Sequence, residues 1–130
     1  MIWSRKQERA TKMELEYMEL VRSLGCLACE HFGIDRTASA HHIKEGNKRL
    51  GHRFVIPLCA GHHQADFVPG EDYGLRLSVH RDHRKFIETF GSERSLWEKV
   101  QTKLRLPLTG WPVSKIAPRK LIQESHDVWD

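Results

Sequence analysis

The chain has 130 residues, 39% hydrophobic and 29% charged, and its 21 Lys and Arg against 17 Asp and Glu give a formal net charge of +4. That length suits one domain with a small core. No apolar run is long enough to span a bilayer and the opening MIWSRKQERATK lacks the apolar centre of a secretory signal, so the expectation is a soluble intracellular protein with no membrane partner.

Residues Met13, Tyr17, Leu20, Val21 and Leu24 follow the spacing of one helical face and predict a helix over about Ser4 to Leu24. Gly25 supplies a left-handed cap and hands the chain directly to Cys26. A helix this amphipathic reads as scaffold rather than as a partner-binding element.

The stretch from Leu24 to Gln64 holds all three cysteines and six of the nine histidines. An odd cysteine count argues against a disulfide framework and for thiolate ligation in a reducing compartment. Cys26-x-x-Cys29 and Cys59-x-x-His62 are two chelating pairs, which is what a closed tetrahedral zinc site needs. A lone C-x-x-C also suits a redox pair, but the second chelating pair and the lack of a βαβ pattern favour zinc. Between the pairs, Thr37 to Ile43 is β-compatible, Glu45-Gly46-Asn47 is a turn signal, and Phe54-Val55-Ile56 is a short β-rich run ended by Pro57. This reads as a hairpin, followed by a short helix over Cys59 to Asp66. His41 and His42 on the first strand then point to opposite faces, so one is free for a metal while the other faces a nucleophilic water. His63 lies roughly a third of a turn from His62 and can face back to His41. Histidine doublets alone are often only surface residues; here two are locked at knuckle spacing.

Leu75, Leu77 and Val79 alternate as in a short strand, after the turn-rich Val68 to Gly74. A helix begins near His80 or Asp82, buries Phe86, Ile87 and Phe90, and stops at Gly91; Ser92 caps another in which Leu96, Trp97, Val100 and Leu104 share a face. Both are expected to pack on the N-terminal helix. Lys44, Lys48, Arg49 and Arg53 surround the histidine region, and Arg76, Arg81, Arg84 and Lys85 form a second basic cluster. These suit phosphate, or they form a solvated basic surface. His80 and His83 read as helix-start residues or as metal or phosphate contacts. From Leu106-Pro107 onward the pattern breaks, and residues 107–130 read as an arm that wraps the domain, pairs with another subunit or docks a partner.

Cys-x-x-Cys, Ala-His-His and Ile-Pro-Leu-Cys-x-x-His-His together resemble the HNH, or ββα-metal, nucleases in their zinc-knuckle form. The run from Ser39 to Phe90, with HHIKEGNKRLGHRF, IPLCAGHH, SVH and FIETFG, is similar to the phage Ref-like nucleases, whose known member acts on DNA held by a RecA filament. The resemblance implies an α+β fold with a ββα-metal core, a structural zinc knuckle and flanking helices over residues 1–106. It implies His42 as general base, His41 and His63 as ligands of a catalytic Mg²⁺ or another divalent ion, and Cys26, Cys29, Cys59 and His62 as the structural Zn²⁺ set. His52 falls near the place of the family's loop-bracing Asn. Where some members add a third histidine this chain has Phe67, so water, His80 or His83 would complete the ion's shell. DNA and a RecA filament are the partners the resemblance implies, in the cytoplasm of a bacterial host carrying a phage or prophage.

Phosphodiester hydrolysis needs a base that titrates near working pH and a cation beside the accumulating charge. Imidazoles at these positions supply the base and the seat, and the resemblance implies a 5′ phosphate and a 3′ hydroxyl as products. The rival readings are a zinc-stabilised nucleic-acid-binding module without catalysis and an adaptor that binds a recombination protein.

Overall fold

The computed structural model describes residues 9–106. The predicted start of the first helix at Ser4 and the predicted arm over 107–130 lie outside the described residues. Among the described residues the first helix, α1, runs Lys12–Ser23, and residues 9–11 before it are not helical. Thr11 sets its start: its hydroxyl accepts from the Glu14 N–H at 3.1 Å and the Glu14 carboxylate accepts from the Thr11 N–H at 2.9 Å. This capping box satisfies two donors that the first turn would leave open. Gly25, at φ +84°, ends the helix in the left-handed region and turns the chain into α2, Leu27–His31.

Four short strands follow. β1 (Ser39–His42) pairs antiparallel with β4 (Val55–Leu58) in the register His41 to Ile56 and His42 to Val55. Between them β2 (Lys44–Glu45) and β3 (Lys48–Arg49) form a second ladder around Gly46-Asn47. Both turn residues have positive φ, 60° and 69°, as a two-residue hairpin turn of matching twist requires. The predicted single hairpin is therefore two consecutive ladders. Nor does Pro57 end its strand, because in a two-stranded sheet every strand has a free edge where a missing N–H is tolerated.

β4 is the centre of the core, with Val55, Ile56 and Leu58 fully buried. Against it lie α1, through Tyr17 and Val21, and α5 (Glu93–Leu104), through Leu96, Trp97, Val100 and Leu104. The Trp97 indole N–H donates to the Arg53 carbonyl at 3.0 Å, which fixes the chain just before β4. α3 (Ala60–Gln64) leaves β4 directly, and α4 (His83–Phe90) packs Phe90 edge-on against His31, Phe32 and His62. The expectation that both C-terminal helices pack on α1 is thus corrected: α5 reaches it through the Tyr17–Gln101 hydrogen bond, whereas α4 packs on the cysteine-rich region.

The segment Leu75 to Val79 forms no strand. Helix α3 is too short to satisfy its own last carbonyls, and two of them capture this segment. Val79 N–H donates to the His62 carbonyl at 2.8 Å and His80 N–H to that of His63 at 3.3 Å. The whole is a mixed helix and small-sheet, α+β arrangement. No helix of the described residues is long and apolar enough to cross a membrane.

Candidate active site and metal centre

Cys26 and Cys59 each precede a short helix and serve as its cap, so the two chelating pairs are presented by helix starts. The Cys29 N–H donates to Cys26 Sγ at 3.3 Å and the His62 N–H to Cys59 Sγ at 3.5 Å. Tetrahedral zinc, at about 2.3 Å from sulfur and 2.1 Å from nitrogen, separates two sulfurs by about 3.8 Å and sulfur from nitrogen by about 3.6 Å. Here Cys29 and Cys59 Sγ are 3.9 Å apart, and His62 Nδ1 is 3.5, 3.5 and 3.4 Å from the sulfurs of Cys26, Cys29 and Cys59. The donor set therefore fits a closed zinc site at its ideal size.

The surroundings suit zinc as well. His62 Nε2–H donates to the Leu75 carbonyl at 3.0 Å, which leaves Nδ1 as the lone-pair donor. Arg36 donates to Cys29 Sγ at 3.3 Å and to the Glu71 carboxylate at 2.9 Å while lying over the Tyr73 ring, tying the loop after α3 to the cysteines. All four candidate ligands are buried. Cys26 is pushed up by its hydrogen bond to Cys59 and by burial, and Cys29 is pushed up by burial. Three thiolates do not sit together in an apolar interior without a cation.

A second cluster lies beside the first. His41 from β1, His63 from α3 and His80 from the loop before α4 bring one ring nitrogen each within 4.8 Å of one another. Their ring centroids are 4.9 Å (His41 and His63), 5.1 Å (His41 and His80) and 4.9 Å (His63 and His80) apart. His80 reaches this position because a closed turn holds it. The Ser78 N–H donates to Asp82 Oδ2 at 3.0 Å and the Arg81 N–H to Ser78 Oγ at 2.9 Å, while α3's carbonyls hold Val79 and His80 itself. Burial, then the neighbouring His41 and His80, pushes His63 down to about 4. Burial and His41 likewise lower His80. Crowded imidazoles that resist protonation keep their lone pairs for a metal.

His41, only 4% exposed, His80, His83, Glu93, Lys44 and Asn47 line an open cavity of about 500 Å³. Glu93 stands behind it: its Oε1 accepts from His41 Nε2 at 3.1 Å and from the Lys44 N–H at 3.2 Å, and its Oε2 accepts from His83 Nε2 at 3.0 Å. Burial favours the protonated acid, but the bonds to His41 and His83 outweigh it and hold the carboxyl below the usual range. The site thus offers clustered imidazoles for a cation, an ionised carboxylate behind them, and an exposed lysine at the opening.

A family profile described as recombination enhancement, RecA-dependent nuclease matches residues 10–106. The chain belongs to this RecA-dependent nuclease family. No curated protein sequence matches it. The span matched to the RecA-dependent nuclease family contains both clusters and the five helices of the described residues.

Of the residues singled out in the sequence, the structure brings together Cys26, Cys29, Cys59 and His62, and separately His41 and His63, joined by His80. His42 stands across β1 from His41, and its Nε2 is 2.9 Å from His52 Nδ1. It does not line the cavity. Burial first, then Arg49, His52 and His41, pushes it down to about 4. His83 lies at the rim on Glu93 rather than among the three clustered imidazoles. Phe67, at the place where the resemblance implied a third histidine in some members, packs against Tyr73 and the edge of His62. Among the predicted phosphate contacts, Lys48 and Arg49 are exposed on β3 and Arg84 is exposed on α4. Arg53 lies 3.9 Å from Glu14 and Arg81 3.5 Å from Asp82. Glu93 was not foreseen: an acidic residue in the first turn of a helix looks like ordinary dipole chemistry, and only the fold sets it against two histidines.

Proposed function

We propose that this chain is a metal-dependent DNA endonuclease of the HNH, or ββα-metal, type, phage- or prophage-encoded and acting on DNA held by RecA. The observation that supports this reading most is the convergence of His41, His63 and His80, from a strand, a helix and a loop, beside a Cys₃His centre. In this reading β1, β4 and α3 form the ββα unit. Cys26, Cys29, Cys59 and His62 hold structural zinc, and His41, His63 and His80 hold a divalent ion. That ion, when bound, supplies positive charge to the scissile phosphate and the departing 3′ oxygen.

His42 is the general base. With Nε2–H donating to His52 Nδ1, the Nδ1 lone pair of His42 is left for the proton of the attacking water. Arg49 beside it and Lys44 and His83 at the cavity draw in the phosphates. An all-imidazole seat suits a first-row transition ion better than Mg²⁺, which prefers oxygen ligands. Mn²⁺ is therefore expected to support faster cleavage than Mg²⁺.

The test is cleavage of single-stranded, duplex and RecA-coated DNA with Mn²⁺, Mg²⁺ or EDTA, using wild type, His42→Ala and His63→Ala. Metal-dependent cutting that both substitutions reduce at least a hundredfold, with zinc content and DNA binding retained, is the expected result. DNA binding without cutting on any substrate would establish the non-catalytic module instead.

A further inference from the structure

Glu93 is the first residue of α5, and its place is fixed independently of the histidines it meets. Ser92 caps the helix, with its Oγ accepting the Ser95 N–H at 3.0 Å. Trp97, one turn on, is fully buried and bonded to the Arg53 carbonyl. The next residue, Arg94, makes a two-pronged bond to Glu45 on β2 at 2.7 and 3.2 Å. The Glu93 side chain is 11% exposed and its two oxygens are divided between two imidazoles of very different exposure, 5% for the His41 side chain and 60% for that of His83. The Lys44 N–H on Oε1 leaves the carboxylate little freedom to turn.

We propose that Glu93 is a positioning residue serving both sides of this site with one carboxylate. By accepting the His41 Nε2–H it fixes that ring's tautomer and leaves Nδ1 as the lone pair offered to the ion. By accepting the His83 Nε2–H it holds an exposed imidazole at the cavity rim, facing incoming phosphate. A ligating histidine whose other N–H is held by a carboxylate binds metal more tightly, and loss of such a partner typically weakens affinity about 10- to 100-fold. The inference rests on the reading of His41 as an ion ligand under the proposed function.

Calorimetric titration of Mn²⁺ into protein carrying one zinc per chain tests it without recourse to activity. Glu93→Gln, which keeps size but lets an amide face both rings, is expected to weaken Mn²⁺ binding about 10- to 100-fold while retaining the zinc. His83→Ala is expected to leave Mn²⁺ affinity within about twofold and to raise the KM for DNA. Should Glu93→Gln lose its zinc, Glu93→Asp, one methylene short of His41, is read in its place. Unchanged Mn²⁺ affinity in the Glu93 variant overturns the proposal, as does an equal loss in His83→Ala, which would make His83 the residue that matters. A wild type that takes up no second ion sinks the metal-site reading itself. A wild type that binds Mn²⁺ through Glu93-dependent affinity but cuts no DNA sinks the nuclease reading and leaves the role of Glu93 standing.

Discussion

Burial sets the protonation of His42. Its ordinary value of 6.5 falls to about 4 through desolvation, with Arg49, His52 and His41 adding repulsion. Between those values the unfolded chain binds the proton and the native chain does not, so this contribution to stability is complete above about pH 6.5 and is lost as the pH falls towards 4. Acid-dependent changes at the cysteine cluster are common to wild type and variant. The difference in urea midpoint between wild type and His42→Gln, at about pH 7.5 and again at about pH 5, therefore isolates the histidine. The expected outcome is that wild type loses more stability on acidification than the variant, and an equal loss in both would refute buried neutrality at this position.

At the scale of an element, α3 shows how packing reverses a propensity rule. Replacing a helical glycine with alanine normally stabilises by about 1 kcal/mol. At Gly61 an added Cβ would come within 2.4 and 2.6 Å of Phe67 ring carbons and 3.1 Å of Tyr73. Overpacking of that kind costs about 1–3 kcal/mol and so outweighs the propensity gain. Gly61→Ala is expected to lower the thermal midpoint and to weaken zinc retention, because Phe67 would be driven off the edge of His62; a raised midpoint would count against this packing. Much of the element pattern could be read directly from residues, including the Gly25 and Gly91 stops, the Ser92 cap and the buried face of α5. The Thr11 to Glu14 capping box is written in the sequence as well, and it marks the start of α1 within an expectation that began at Ser4. The strand expected over Leu75 to Val79 failed for another reason: alternation says nothing about whether a helix end nearby needs hydrogen-bond donors.

Across the molecule, the cysteine cluster joins α2, the start of α3 and, through Leu75 and Arg36, the loop that delivers His80. Structural zinc binding is worth about 10–16 kcal/mol, as much as the whole stability of a domain of this size, about 5–15 kcal/mol. Chelation, or Cys59→Ser, is therefore expected to abolish cooperative unfolding followed by circular dichroism and to scatter the histidine cluster with it. A cooperative melt that survives in zinc-free protein would show that the hydrophobic core suffices alone.

The sequence by itself determined the donors, because thiolate and imidazole chemistry is carried by residue type and the C-x-x-C and C-x-x-H spacings reflect the geometry of one helical turn. The alternation along β1 that separates His41 from His42 is local in the same sense. Tertiary structure alone decided which of the remaining histidines meet. His80 joins His41 and His63 through hydrogen bonds to the free carbonyls of α3, and Glu93 crosses about fifty residues of chain to reach His41. Contacts of that separation are set by how helices pack around β4, and no spacing rule encodes them.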